Sequence, residues 1–513
     1  MRIRKSASLV LLLFILIVST QPTFAQTKDI ANSIDQYLSI RTDLGRFSGA
    51  ALIAKDRKII FRKAFGFANV ERRIPYTLET PQDVASVTKM FTAMAALKLR
   101  DQGKLHLDDS ICNYLDDCPE IWKPITVRHL MRHTSGIPDY EEKLELGSDK
   151  YLAFMNQPDA TTRILESAKK LPLDFKPGEK FSYSNTGYIV LSYLIQKASG
   201  QPFSEFVKRA ILEPAGMKHS GMFGSSKLPK NLANGYTHGD LGWERILGGV
   251  SLTGGHLKKL PQLPLTPPAG DGGLYSTVDD LYRWSQVMDG SRLVSPEEAA
   301  EVFTPDLGNY GYGWFVDHLF ERRRLWHSGV LPGYLSDIIK FPDDKITVIV
   351  VTNLDRSRIS RIRRDLSAIV LGLPYDMPVS GKLVKLTADQ IAKLEGDYKM
   401  ADGAVLNISN QPDYLTAKLK GRYIAGLIPL SPSEFYFPFY DGKAIFTLDA
   451  NGRAVKVNMH YNGEDHIAER LAQQPEGPSD TQARNITNRC RSAAVACPSS
   501  SLSSQVVATR AAT

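Results

Sequence analysis

The chain has 513 residues, 43% hydrophobic and 23% charged, an ordinary balance for a folded, water-soluble protein that argues against a disordered or fibrous one. That length is more than one compact core normally holds, so two domains are expected. The formal net charge is +8, but Arg2, Arg4 and Lys5 supply three of those charges. No Lys/Arg stripe interleaves with aromatics, so the balance reads as a mildly basic surface and not as a nucleic-acid site.

The same three basic residues open the chain. Leu9 to Val18 follow as a short apolar run, and Thr23-Phe24-Ala25 offers small residues before Gln26. This is the pattern of a secretory signal over residues 1–25, cleaved near Ala25, with an expected location in the periplasm or outside the cell. The run is short for a membrane span, contains no cysteine for lipid attachment, and no other stretch is apolar enough to cross a bilayer.

Ile30 to Leu44 reads as a helix, with Ile30, Ile34, Tyr37 and Leu38 on one face. Gly49 to Ala54 and Ile59 to Ala68 read as a hairpin turning at Asp56-Arg57-Lys58. A buried helix starts near Ser86 and closes at Gly103. Thr126 to His133 is a short helix, and helices dominate to about Leu212, broken at Lys176-Pro177-Gly178-Glu179. Thr237 to Gly273 is a long excursion rich in Gly, Pro and Leu, expected to pack on the surface near a site. Thr277 to Met288 is a helix. Short strands follow at Tyr312 to Asp317, Arg324 to Ser328, Leu335 to Phe341 and Ile346 to Asn353, and a last helix at Ile359 to Leu371. One antiparallel sheet taking strands from both ends of this region, with the helices as its other layer, fits that order.

Residues 372–385 form a Gly- and Pro-containing linker. From Leu386 to about residue 472, seven short strands recur at roughly 8–12 residue spacing, the pattern of a small all-β barrel or half-barrel. Residues 473–513 are rich in Ser, Ala and Arg without periodicity and are expected to be a disordered tail. Of the four cysteines, Cys112 and Cys118 are close together and stand equally as two thiols or as a disulfide; Cys490 and Cys497 lie in the tail. Neither spacing resembles a zinc site, and no metal or other cofactor is implied.

The chemistry centres on Ser86-Val87-Thr88-Lys89. On a helix, residues i and i+3 share a face, so the Ser86 hydroxyl and the Lys89 amine lie side by side. A serine attacks only when an adjacent group takes its proton, and a desolvated, neutral lysine can do so. The pair alone is weak evidence, since Ser167-Ala168-Lys169-Lys170 repeats the spacing in a charged stretch that reads as a solvated helix end. Two further segments can complete the site. Tyr183-Ser184-Asn185 places a phenol and an amide two residues apart ahead of a helix, suited to moving a proton and to holding a substrate amide. His327-Ser328-Gly329-Val330, on a predicted strand, can offer an oxyanion donor and side chains for a substrate carboxylate.

These segments, in this order, resemble the serine β-lactamase-like family of class C β-lactamases, low-molecular-weight penicillin-binding proteins and related esterases. The resemblance runs from about Ile30 to Leu371 and includes His133-Thr134-Ser135-Gly136-Ile137-Pro138, Pro214-Ala215-Gly216-Met217 and Gly272-Gly273-Leu274-Tyr275-Ser276-Thr277. It implies an α/β (α+β) β-lactamase/transpeptidase-like catalytic domain over residues 26–371, with an antiparallel sheet and a helical layer. It implies Ser86 as the acylated nucleophile, Lys89 as its activator, Tyr183 as acid/base partner with Asn185 beside it, and the backbone N–H groups of Ser86 and Val330 as oxyanion hole. His327-Ser328-Gly329 stands where the family carries K-T-G. A histidine is only partly charged near neutral pH, so His327 would hold a carboxylate less firmly than lysine, which weakens the case for an efficient β-lactamase. The β domain is loosely similar to lipocalin-like additions in some D-aminopeptidase-like members. The expectation is an exported serine hydrolase acting on a small-molecule or peptide substrate, cell-wall peptide among the candidates, through attack on an amide, peptide, β-lactam or ester. The competing expectation is a penicillin-binding, sensing or scaffold protein with little turnover, its binding carried by the β domain.

Overall fold

The computed structural model describes residues 24–472, apart from residues 146–147, 158, 225–227, 239–256, 262–268, 291–292, 382–383, 412–413, 438–441 and 462–463. Residues 1–23 of the expected signal segment, residues 473–513, and most of the 237–273 excursion lie outside the described residues.

The first helix, α1 (Phe24–Asp43), begins ahead of Ile30, where the sequence pattern placed its start. The hairpin forms as β1 (Gly49–Lys55) and β2 (Lys58–Phe65). Four later strands, β3 (Phe315–Leu319), β4 (Arg322–Leu331), β5 (Tyr334–Phe341) and β6 (Ile346–Thr352), join them in one antiparallel sheet of order β3-β4-β5-β6-β1-β2. The ends of the domain therefore meet: Gly49 pairs with Thr352 and Lys55 with Ile346.

Successive side chains on a strand point to opposite faces, and here both faces are covered. From β6, Ile346, Val348 and Val350 pack with Ile34 and Leu38 of α1 and with Ile362 and Leu366 of α4 (Ile359–Leu371). Ile349 and Val351 face the other way, in one cluster with Phe91 and Met94 of α2 (Thr88–Asp101) and Leu191 of α3 (Asn185–Ser199). Burial on both faces is why Val348 to Val351 of β6 is a continuous apolar run and not an alternating one. Each such buried side chain contributes about 1.5–3 kcal/mol. Across the outer layer, the Tyr37 hydroxyl donates to Asp365 Oδ2 at 2.7 Å, tying α1 to α4.

Two smaller features set the nucleophile turn against the sheet. Gln82 Nε2 donates to the carbonyls of Leu335 (3.2 Å) and Thr352 (3.1 Å), which lie opposite each other on β5 and β6. Gln82-Asp83 also pairs antiparallel with Tyr275-Ser276, and Gly221-Met222 lies on the other side of that strand. A helix not anticipated from the sequence spans Pro296–Val302. Cys112 and Cys118 form a disulfide, resolving the alternative left open above.

After the 372–385 segment the chain forms a closed barrel of eight strands, β7 (Gly396–Met400), β8 (Val405–Gln411), β9 (Tyr414–Leu419), β10 (Arg422–Pro429), β11 (Glu434–Phe437), β12 (Gly442–Leu448), β13 (Ala454–Tyr461) and β14 (Glu464–Arg470). The last strand, absent from the sequence reading, closes the ring by pairing Arg470 with Tyr398. Leu406, Phe435, Phe446 and Val457 are among the residues of its buried cluster. Ile428 and Tyr436 of the barrel pack with Leu44 just after α1.

Candidate active site

Ser86 lies in a single 3-10 turn, Ala85–Val87, that leads into α2. Ala85 has φ +48°, a left-handed conformation that costs a residue with a Cβ about 1–3 kcal/mol. The turn is held at both ends: Asp83 Oδ1 accepts from the Ala85 N–H at 2.7 Å, and the Thr88 hydroxyl donates to the Ala85 carbonyl at 2.6 Å. One helical turn on, Lys89 is fully buried. Its Nζ reaches Ser86 Oγ at 3.0 Å, Asn185 Oδ1 at 2.7 Å and the Asp271 carbonyl at 2.7 Å. Burial pushes the Lys89 pKa down, against the opposing charges of Asp271, Glu141 and Asp139. Lowering the lysine pKa favours the neutral amine, the form that can take a proton from the serine beside it.

The segment carrying Asp271 is stitched onto the same helix. The Thr92 hydroxyl donates to the Gly270 carbonyl at 2.6 Å, and the Leu274 N–H donates to Thr88 Oγ1 at 3.1 Å. A Cβ at Gly270 would meet the Tyr188 carbonyl of α3 at 2.6 Å, so only glycine lets this segment pass between α2 and α3.

Tyr183 and Asn185 flank Ser184, which N-caps α3 by accepting from the Gly187 N–H at 3.1 Å. Asn185 donates its backbone N–H to Asp139 Oδ2. The Tyr183 ring stacks on His133 with centroids 4.2 Å apart, and Lys89 Nζ stands 5.0 Å from the ring centroid. Burial raises the Tyr183 pKa, offset in part by a hydrogen-bonding contact with Ser86. His133 fixes this ring from behind: its Nδ1 accepts from the Ser184 N–H at 3.0 Å, and burial holds its pKa well below the usual histidine range.

The fourth wall is β4. Its partner β3 stops pairing at Trp326, so on that edge residues 327–331 have the nucleophile turn as neighbour instead of a strand. A Cβ on Gly329 would meet the Val84 carbonyl at 2.1 Å. Val330, 42% exposed, and Ser86 both line the recess that opens at the serine. Ser328 pairs with Asp337 and Gly329 with Ser336 on β5.

His327 requires a correction. The sequence reading gave it a partial charge for holding a carboxylate. The ring is instead buried, with Nδ1 2.7 Å from the Ser328 carbonyl and Nε2 3.0 Å from the Tyr310 hydroxyl. Nδ1–H donates to the carbonyl and Nε2 accepts from Tyr310. Burial, and then the Lys89 charge, lower its pKa to about 3. His327 is therefore neutral at working pH and brings no positive charge.

The structure thus brings Ser86, Lys89, Tyr183 and Asn185 together, with Ser86, Asn185 and Val330 lining one recess and Lys89 buried beneath it. Sequence reasoning missed Asp139, Glu141 and Asp271, the acidic groups that act on Lys89. Asp271 directly precedes the quoted Gly272-Gly273 stretch and Asp139-Tyr140-Glu141 directly follows Pro138, so their positions were in view. Their meeting around Lys89 depends on tertiary contacts such as the one from Lys89 to Asp271, 182 residues on.

A serine at a strained turn, a buried lysine within hydrogen-bond reach, and a phenol beside both define a serine hydrolase. A family model described as Beta-lactamase matches residues 31–371, and the chain belongs to that family. Penicillin-binding protein 4* of Bacillus subtilis (strain 168) is 28% identical over 440 residues, covering 83% of this chain and 95% of that protein. The structure of the octameric penicillin-binding protein homologue from Pyrococcus abyssi matches 86% of this chain and 100% of its own with a TM-score of 0.61 at 27% identity. D-amino acid amidase from Ochrobactrum anthropi SV3 shares the fold at a TM-score of 0.56 and 20% identity, covering 67% of this chain and 99% of its own.

Proposed function

We propose that this protein is an exported hydrolase that forms an acyl-enzyme on Ser86, with an amide, peptide, β-lactam or ester as acyl donor. The observation that carries the reading is Lys89 Nζ at 3.0 Å from Ser86 Oγ in a buried setting that favours the neutral amine. Lys89 takes the hydroxyl proton as Ser86 attacks the carbonyl. The backbone N–H groups of Ser86 and Val330 receive the developing oxyanion. Tyr183, beside both Ser86 and Lys89, returns the proton to the leaving group, and Asn185 orients the substrate amide while holding Lys89. Water then releases the acyl group. Ser328 and Gly329 line the substrate on the β4 side, and neutral His327 supports that edge from within through Tyr310. Without a cation at 327, a carboxylate-bearing β-lactam is held less firmly than an amide or ester that lacks the carboxylate. The basic, then apolar, opening residues support export to the periplasm or the medium, and no helix among the described residues is long and apolar enough to cross a membrane. The barrel has the strand number of lipocalins, but its cluster of buried Leu, Phe and Val side chains supports a structural part and not a ligand cup.

The test is intact mass over time after mixing with a penicillin and, separately, with a p-nitrophenyl ester. Wild type should gain an adduct or turn over; Ser86→Ala should do neither, and Tyr183→Phe should be slower by about 10²–10⁴-fold. Retained turnover in Ser86→Ala overturns the mechanism. A long-lived penicillin adduct without product would favour a penicillin-binding or sensing role.

A further inference from the structure

The recess that opens at Ser86 is lined on its inner side by Asp83, Glu141 and Asp271, together with Tyr140 and Asn185. His327 and Ser328 are not part of this lining. The carboxyl groups are incompletely compensated. Asp83 is 1% exposed; its Oδ1 accepts from Ala85, but its Oδ2 is buried without a hydrogen-bond partner. Asp271 Oδ2 accepts from the Tyr140 hydroxyl at 2.9 Å, and Glu141 Oε1 lies 3.5 Å from the same hydroxyl. Asp139, just behind, accepts from the backbone of Asn185 and Glu141. The basic group within this cluster is Lys89, whose Nζ already has three partners, none of them a carboxylate oxygen.

A buried excess of carboxylates is costly unless a cation joins it. The groups respond accordingly: burial pushes Asp83 up to about 7 and Glu141 up to about 8, and raises Asp271. The recess is continuous with Ser86 and borders Asn185, so that cation belongs to the molecule whose carbonyl Ser86 attacks.

Resting on the proposed acyl-enzyme chemistry, we infer that the Asp83–Glu141–Asp271 recess is an ammonium subsite, and that the preferred acyl donor carries a free, protonated amino group close to its scissile carbonyl. α-Amino amides, α-amino esters and peptides with a free N-terminus have this form. Bound there, the ammonium would draw Asp83 and Glu141 into their ionised forms and offset the acidic charges that raise the Lys89 pKa against burial, so recognition and activation of the base are linked.

The experiment compares phenylalanine amide, in both enantiomers, with 3-phenylpropanamide, which lacks only the amino group. Binding to full-length Ser86→Ala protein is measured by calorimetry at pH 7, so the readout does not need turnover. For at least one enantiomer the amine-bearing amide should bind about 10- to 100-fold more tightly, the range for a hydrogen bond to a charged group. Glu141→Gln should shrink that ratio; Glu141 is chosen because it is only part-buried, whereas Asp83 also holds the nucleophile turn. Equal or weaker binding of both amine enantiomers, a ratio unchanged in Glu141→Gln, or no binding of any of the three compounds at millimolar concentration would overturn the inference. Wild-type ester hydrolysis that depends on Ser86 but shows no amine preference defeats the subsite alone. An amine preference in a protein whose ester hydrolysis ignores Ser86 defeats the catalytic reading and leaves the subsite.

Discussion

Gly329→Ala adds one methyl group at the seam between the sheet and the nucleophile turn. The new Cβ would stand 2.1 Å from the Val84 carbonyl oxygen and 2.4 Å from Ser336 Oγ, where ordinary contact begins at about 3.4 Å. Ser336 can turn away. Val84 cannot, because its oxygen is backbone and already accepts from Ser336 Oγ at 2.7 Å and from the Val87 N–H at 3.2 Å. The strand and the turn must therefore part by about 1 Å, which pulls Val330 away from Ser86. A displacement of that size costs on the order of 10²-fold in rate, and loss of one oxyanion donor costs about 10²–10³-fold. The expected result is at least a 100-fold fall in kcat/KM on a p-nitrophenyl ester, with the far-ultraviolet circular dichroism of a folded protein. Adding Ser336→Ala should not restore activity, since it relieves the lesser clash and leaves the Val84 one. A folded Gly329→Ala protein within threefold of wild type would refute the reasoning, as would full rescue by Ser336→Ala.

Two other consequences are measurable. Asp83 and Glu141 have folded pKa values near 7 and 8, above their unfolded values, so between about pH 4 and 8 the native state keeps protons that the unfolded chain has released. Their contribution to stability is full below about pH 4 and is lost as pH rises through that window; the urea midpoint should fall less from pH 5 to pH 8 in Glu141→Gln than in wild type, and equal slopes would refute this. The Cys112–Cys118 disulfide closes a short loop, for which chain entropy gives about 2 kcal/mol; Cys112→Ala/Cys118→Ala should lose roughly that much in denaturant unfolding, and an unchanged midpoint would count against the bond's contribution.

The sheet strands, the hairpin and the nucleophile helix were legible because their patterns are local: period-two or unbroken apolar runs ending at turn residues, and a serine and lysine one helical turn apart. The helix at Pro296–Val302 was also signalled, by Ser295 with Glu298 as a capping box and Pro296 at the first turn, and was overlooked. Strand β14 left little local signal, because Glu464–Arg470 is mostly charged and only Ala468 of its residues is buried. The neutrality of His327 was half visible: in β4, Leu325, His327 and Leu331 alternate onto the buried face. Its partner Tyr310 comes from the segment before β3, and contacts of that kind leave no trace in local periodicity. The acidic recess draws on three separate segments for the same reason.

The pairing of β1 with β6 joins residues about 300 positions apart. At a synthesis rate of about 5–20 residues per second, the hairpin waits on the order of 15 to 60 s for the strand that covers its open edge. The two clusters that bury the sheet wait as well, since each contains residues of β6. A growing chain of this topology therefore has high contact order and cannot complete its catalytic domain before nearly all of it has been made. That delay makes the bare β1 edge the place where a holding chaperone would be most needed.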